Sequence, residues 1–308
     1  MTASAHRPGL TWPFWNPRER RVRAGWRIVA MLALYLVATI ATMRLVEAAL
    51  GDRARLAAPV ALVVVALLAA WVPSRYLDHR PLRSLGLDLD RTRLRQFGVG
   101  VLVGTGLMGG VLVVYLAAGW ARVTGWFAAE DEQFLAAFAL LVVTYAAVAF
   151  LEELLFRGYL ITNLVEGFSR GGPGGPQPWS RWQRGLPVAA AVIVSSLVFA
   201  HFHGDSLTAL DYLHFGLAGV LLAVPYVLTG NLALPIGLHW AFNVGATGLF
   251  NVEGDLPAVI RVAVDGPRPW VGEAGLVETI MIAATVPVVV WYLRRSADGR
   301  APSAPTSH

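Results

Sequence analysis

The chain has no cysteine and no lysine; all 25 of its basic residues are arginine. The first absence excludes disulfides, thiolate zinc sites and a cysteine nucleophile. Charge is scarce too, at 15% of 308 residues, where a soluble domain carries roughly a quarter. The net charge of +5 could point to nucleic acid. The arginines, however, fall between apolar stretches instead of gathering on one face, so no nucleic-acid partner is expected. What remains is hydrophobic, 56% of the residues. One soluble core stops growing near ~250–300 residues, so this much apolar surface calls for lipid as its solvent.

A helix needs ~20 apolar residues to cross the hydrocarbon. Runs of this kind cover Ile28–Leu50, Leu56–Val72, Phe97–Trp120, Phe134–Phe156, Leu186–Phe202, Leu210–Leu228, Leu232–Phe250 and Leu276–Leu293. The first run lacks a small-residue cleavage site and reads as a retained span. Arginines crowd the tail before it (Arg18, Arg20, Arg21, Arg23, Arg27), the segment 74–96 (Arg75 to Arg95), the connection holding Arg157, Arg170, Arg181 and Arg184, and the end at Arg294, Arg295 and Arg300. The alternate connections are poorer in arginine, and those around Glu130–Glu132 and Glu253–Asp265 are acidic. By the positive-inside rule the pattern predicts an all-α polytopic membrane protein with about eight transmembrane helices and cytoplasmic N and C termini. Its expected location is a bacterial plasma (inner) membrane.

Gly171–Pro178 reads as a flexible insert, and Trp12, Trp15, Trp26, Trp120, Trp126, Trp179 and Trp182 as an interfacial aromatic belt. Gly100/Gly104 and Gly106/Gly110 have the spacing that permits close helix packing.

An ionisable residue at membrane depth costs ~2.5–3.5 kcal/mol on insertion scales and is by default a functional candidate. Three clusters qualify. Glu152, Glu153 and Arg157 lie on the fourth span. Glu153 and Arg157 are four apart and can pair on one face, while Glu152 points about 100° away and is left without that partner. Phe199, His201 and His203 end the fifth span, and at most one of the two histidines can face a common point. His239 and Asn243, four apart, share a face of the seventh. Each cluster alone also has a plain structural reading: a solvated helix end, interfacial packing, or an interhelical hydrogen bond. Buried polar groups must be satisfied inside lipid, and three such clusters do so most readily by meeting. A carboxylate, an imidazole or two and an amide around one point describe a water-activating hydrolytic centre.

At these residues the chain resembles the CPBP family of intramembrane proteases, the CAAX-protease and bacteriocin-processing (Abi) group, whose motifs are EExxxR, FxxxH and Hxxx(N/D). Here they stand as Glu152-Glu153-Leu-Leu-Phe-Arg157, Phe199-Ala-His-Phe-His203 and His239-Trp-Ala-Phe-Asn243. The resemblance implies Glu152 as the base that activates water, His203 assisting, His239 and Asn243 as oxyanion stabilisers, Glu153 with Arg157 as a supporting pair, and Phe199 packed beside them. It implies an endopeptidase acting on membrane-associated proteins or peptides, CAAX-type prenylated ones among them. A metal-free glutamate mechanism fits that site, and Glu152, His203 and His239 could also hold zinc with a position open for water. The signatures HExxH, GxSG and GxGD of other intramembrane proteases are absent.

The chain thus divides into a basic tail (1–27), three spans (28–136), a catalytic helical core (137–250), an external loop with the last span (251–295) and a disordered tail (296–308). Its partners are lipid and a polypeptide substrate; its oligomeric state is open. A non-catalytic scaffold or bacteriocin self-immunity protein is the alternative from another class, and a proton-coupled transporter a third. The site can assemble if the fourth helix continues past Arg157, towards Val165, or if the fifth starts later or tilts; the expectation is that the fourth runs on and both glutamates lie inside the protein. Asp211 and His214 are candidate supporting residues or interfacial ones. Arg44 and Glu47 are read as a local pair, and Asp205 and Asn163 as loop or helix-end residues.

Overall fold

The computed structural model describes residues 13–17, 19–128, 134–169, 185–204, 206–251 and 257–298. The insert Gly171–Pro178, Asp205, the acidic run Glu130–Glu132, Glu253, the tail from 299 onward, Trp12, Trp179, Trp182, and Arg18, Arg170, Arg181 and Arg184 lie outside these residues.

Among the described residues the helices are α1 (Ala24–Leu50), α2 (Ala54–Tyr76), α3 (Arg91–Ala117), α4 (Phe134–Phe168), α5 (Leu186–His201), α6 (Ala209–Thr229), α7 (Ala233–Asn243) and α8 (Leu276–Asp298). Each forms on an apolar run with few helix breakers. Six of them, all but α5 and α7, are long and apolar enough to cross a membrane. The fold is therefore an all-α polytopic one, with two of the eight expected spans shorter than the rest. α5 has 16 residues, and α7 has 11 before it loosens into a π-helical turn at Val244–Leu249.

The helix ends meet on two opposite faces. On the first, a short hairpin, β1 (Trp15–Asn16) with β2 (Arg21–Val22), leads into α1. Arg27 bonds Asp78 and, at 3.1 Å, Glu166; Arg21 reaches Glu166 at 3.0 Å, and Arg80 bonds Glu166 as well. This network ties the chain before α1 to the end of α2 and the end of α4. Burial opposes the charge on Arg80, yet Glu166 and Asp78 hold its pKa above the ordinary guanidinium value. Sequence reasoning took Arg21, Arg27 and Arg80 as topology signals; they are also a buried clamp. The α6–α7 turn joins the same face, where Asn231 donates to the Asp88 carbonyl at 2.8 Å and the Leu232 N–H to the Gly86 carbonyl at 2.9 Å.

The opposite face carries a three-stranded sheet that the all-helical expectation did not include. β3 (Ala121–Ala128) runs antiparallel to β5 (Ala258–Val264), with a bulge between Val123 and Gly125, and β4 (Phe250–Asn251) lies parallel to β5. The third span consequently ends at Ala117, not Trp120: Gly119 takes φ +72° and turns the chain into β3.

α3 and α7 pack backbone to backbone. A Cβ on Gly104 would lie 2.5 Å from the Leu238 carbonyl, one on Gly100 would collide with the Leu234 carbonyl, and one on Gly237 with that of Phe97. The small-residue spacing of α3 thus works at Gly100 and Gly104 as expected for close packing. Gly106 faces open space and Gly110 faces Met281.

Candidate active site

α4 does not stop at Phe156. Its α-helical part runs to Glu152, then Glu153–Ile161 is π-helical, and α-helix resumes over Thr162–Phe168. The continuation expected past Arg157 is present, and it carries the glutamates into the interior. The wider π turn begins at the EExxxR motif; π segments inside helices recur at functional sites because the extra residue per turn re-aims side chains.

The two glutamates have different surroundings. Glu153 is fully buried: its Oε1 accepts from Arg157 Nη1 at 2.9 Å and meets His239 Nδ1 at 2.8 Å. Arg157, also buried, extends Nη2 to the Gly219 carbonyl at 3.4 Å, and its guanidinium lies 4.2 Å over the Phe199 ring. The charge pair is thus closed off by α6 and α5. Glu152 keeps one-fifth of its side chain exposed, and its Oε2 has no hydrogen-bond partner among the described residues. That oxygen lies 3.8 Å from His239 Nε2. The expected i,i+4 pair and the separately directed Glu152 are both as the helical spacing required.

His203 follows the end of α5. Its Nδ1 is 2.7 Å from the Phe199 carbonyl, and its ring stands 4.3 Å from that of Phe199 and 4.5 Å from that of Phe215. A carbonyl can only accept, so the contact puts the proton of a neutral His203 on Nδ1 and leaves Nε2 as an acceptor. The same reasoning applies to His239, whose Nδ1 faces an ion-paired carboxylate. Phe199 is the common wall, with Arg157, His203 and, at 6.0 Å, His239 around its ring. His201 turns away and bonds the Tyr212 hydroxyl at 3.1 Å. Of the two histidines, one joins the site.

Glu152, His203, His239 and Asn243 all line one cavity of about 850 Å³, with Phe199. The structure therefore brings together every residue that the three motifs nominated, Glu153 and Arg157 immediately behind the wall. Among the described residues no group of three or more His, Asp or Glu side chains is placed to hold a metal ion. Nδ1 of each histidine is engaged, by Glu153 or by the Phe199 carbonyl, which leaves Nε2 as the open nitrogen of both rings.

Of the weaker candidates, Asp211 is a helix cap: its carboxylate accepts from the Thr208 N–H at 2.8 Å in a capping box at the start of α6. His214 is buried, bonds Thr279 at 3.0 Å, lies 3.9 Å from Glu278, and lines the same cavity. Sequence reasoning missed Glu278, though a glutamate in the apolar run of α8 was the signal that could have found it. Asn163 is buried and bonds the Tyr159 carbonyl at 3.1 Å, so it is an interior residue and not a loop or helix-end one. Arg44 and Glu47 pair at 3.9 Å on the exposed side of α1.

Residues 134–245, which contain all three motifs, match the family described as type II CAAX prenyl endopeptidase Rce1-like. This stretch is an Rce1-like domain. It takes in α4 to α7 and so every side chain of the site just described. No curated protein and no solved structure matches the chain. Its long apolar helices make the chain a multi-pass membrane protein, and the family match over 134–245 is consistent with its CPBP motifs.

Proposed function

We propose that the chain is an intramembrane endopeptidase that hydrolyses a peptide bond of a membrane-associated protein or peptide with water activated by Glu152. The observation that carries this reading is the division between neighbouring carboxylates: Glu153 is sealed by Arg157 and His239, whereas Glu152 lines the cavity with a fifth of its side chain exposed and its Oε2 unbonded, 3.8 Å from His239 Nε2. A carboxylate with a free oxygen in a partly desolvated cavity is a fitting general base.

In the reaction, Glu152 takes a proton from water, the water oxygen bonds to the substrate carbonyl carbon, and the carbonyl oxygen becomes an oxyanion. The amide of Asn243 can donate to that oxygen. His239 can donate from Nε2 only when doubly protonated, since its Nδ1 proton is directed at Glu153. His203 Nε2, an acceptor in the neutral ring, assists in holding the water. Collapse of the tetrahedral intermediate breaks the C–N bond, and Glu152 returns its proton to the leaving nitrogen.

The test uses purified full-length protein in lipid vesicles and a library of quenched fluorescent peptides, with and without a prenylated C-terminus. Wild type cleaves members of the library, and Glu152→Gln and His203→Ala do not while retaining the helical circular dichroism of wild type. Equal cleavage by wild type and Glu152→Gln overturns the mechanism.

A further inference from the structure

We infer that the cavity takes its substrate from the membrane face that carries the sheet, opposite the arginine-rich face. The substrate class is then a polypeptide segment presented outside the cytoplasm. The inference rests on the protease reading of the site and adds the side from which it is reached.

The lining of the cavity runs one way. From Glu152 and His239 it continues past Thr247 and Phe250 to β5 (Val262, Val264) and ends among Asp265, Arg268 and Glu273. Asp265, Arg268 and Glu273 are exposed and form a charged rim, while the walls below are largely apolar. All of these rim residues belong to the segment between β5 and α8, on the sheet-bearing face.

In the other direction the protein is closed. Leu154, Tyr159, Thr162 and Asn163 are buried. The Tyr226 hydroxyl bonds Thr162 at 2.9 Å and the Gly158 carbonyl at 3.3 Å, and a Cβ on Gly158 would lie 3.0 Å from the Leu85 carbonyl. Beyond this plug comes the clamp of Arg21, Arg27 and Arg80 with Asp78 and Glu166. Neither the plug nor the clamp contributes a residue to the cavity.

Orientation follows from charge. The closed face holds Arg20, Arg21, Arg23, Arg27, Arg75, Arg80, Arg83, Arg91, Arg93 and Arg95 beside the ends of α1, α2 and α3, and Arg294 and Arg295 at the end of α8. The open face has Arg53 and Arg55 between α1 and α2, Arg122 and Arg261 on the sheet, and Arg268 on the rim. An arginine excess near helix ends marks the cytoplasmic side, so the mouth opens on the other one. A prenylated C-terminus displayed in the cytoplasm cannot enter from there. An apolar segment ending in polar residues, emerging on the outer surface, can.

The absence of cysteine from the whole sequence makes the test direct. Single-cysteine variants Arg268→Cys at the rim, Thr247→Cys inside the cavity and Arg83→Cys on the closed face are made in the full chain and expressed in bacteria. Intact cells are treated with a small sulfonated maleimide that does not cross membranes. Arg268→Cys and Thr247→Cys are expected to label in intact cells, and Arg83→Cys only after permeabilisation. Should Thr247→Cys fail to accumulate, Leu112→Cys on the facing wall reports the same space. Labelling of Arg83→Cys in intact cells with Arg268→Cys silent, or a cavity cysteine that labels only after permeabilisation, overturns the inference. Labelling does not depend on catalysis, so loss of the protease reading would leave this result standing, and the reverse.

Discussion

Glu153 Oε1 and His239 Nδ1 meet at 2.8 Å, although 86 positions separate them in the chain. That contact fixes the imidazole plane and tautomer, and it turns the other ring nitrogen towards Glu152. One glutamate is thereby consumed in holding the site so that its neighbour can act.

The two glutamates should therefore fail differently. Removing one partner of a buried ion pair costs about 3–5 kcal/mol, because the other charge is left uncompensated. Glu153→Gln and Arg157→Met are expected to lower thermal stability in detergent by this order, whereas Glu152→Gln keeps wild-type stability and loses about 10²–10⁴-fold in cleavage. A Glu153→Leu/Arg157→Met double variant should regain part of the stability lost by either single one. Unchanged melting of Glu153→Gln would contradict the pairing.

Close contact of α3 and α7 sets the position of His239. A Val side chain at Gly100 or Gly104 has no room beside the Leu234 and Leu238 carbonyls. Overpacking of this kind costs about 1–3 kcal/mol or more. Gly100→Val and Gly104→Val should accumulate poorly in membranes, and Gly106→Val, which meets nothing within 4 Å, should accumulate as wild type. Immunoblots of membrane fractions decide it.

Chelation separates the glutamate mechanism from a zinc one. Since no group of three His, Asp or Glu side chains among the described residues is placed to hold a metal, a membrane-permeant chelator should leave cleavage unchanged. Loss of activity on chelation, restored by added zinc, would count against the donor geometry described above.

The buried clamp predicts a contrast between arginines. Arg27→Met removes the nearest cation of Asp78 while Arg21 and Arg80 still hold Glu166, and should destabilise the protein by about 1–3 kcal/mol. Arg44→Gln breaks only an exposed pair, worth about 0–1 kcal/mol. Thermal unfolding of the two variants under identical conditions should separate them by several degrees.

Much of this was readable from residue spacing alone. Period and length located most helix ends to within a few residues, because lipid leaves the backbone little other choice, though α4 runs twelve residues past Phe156 and α7 stops seven short of Phe250. Glu152 can meet His203 and His239 most simply if α4 runs past Arg157, and it does. Other features were hidden because they depend on partners. The π turn at Glu153–Ile161 has no local signature, since it is chosen by what Arg157 reaches across the helix. The clamp arginines looked like surface charge because Asp78 and Glu166 lie far along the chain. The sheet did leave a trace: Ala121–Ala128 and Ala258–Val264 are rich in β-branched and aromatic residues, overlooked beside longer apolar runs.

α5 supplies only 16 residues, about 24 Å of rise, to a hydrocarbon layer about 30 Å thick. A bilayer meets such a shortfall by thinning around the protein, and His203 stands at the end where the thinning falls. Under the protease reading, cleavage in vesicles of short-chain lipid is expected to exceed that in vesicles of long-chain lipid.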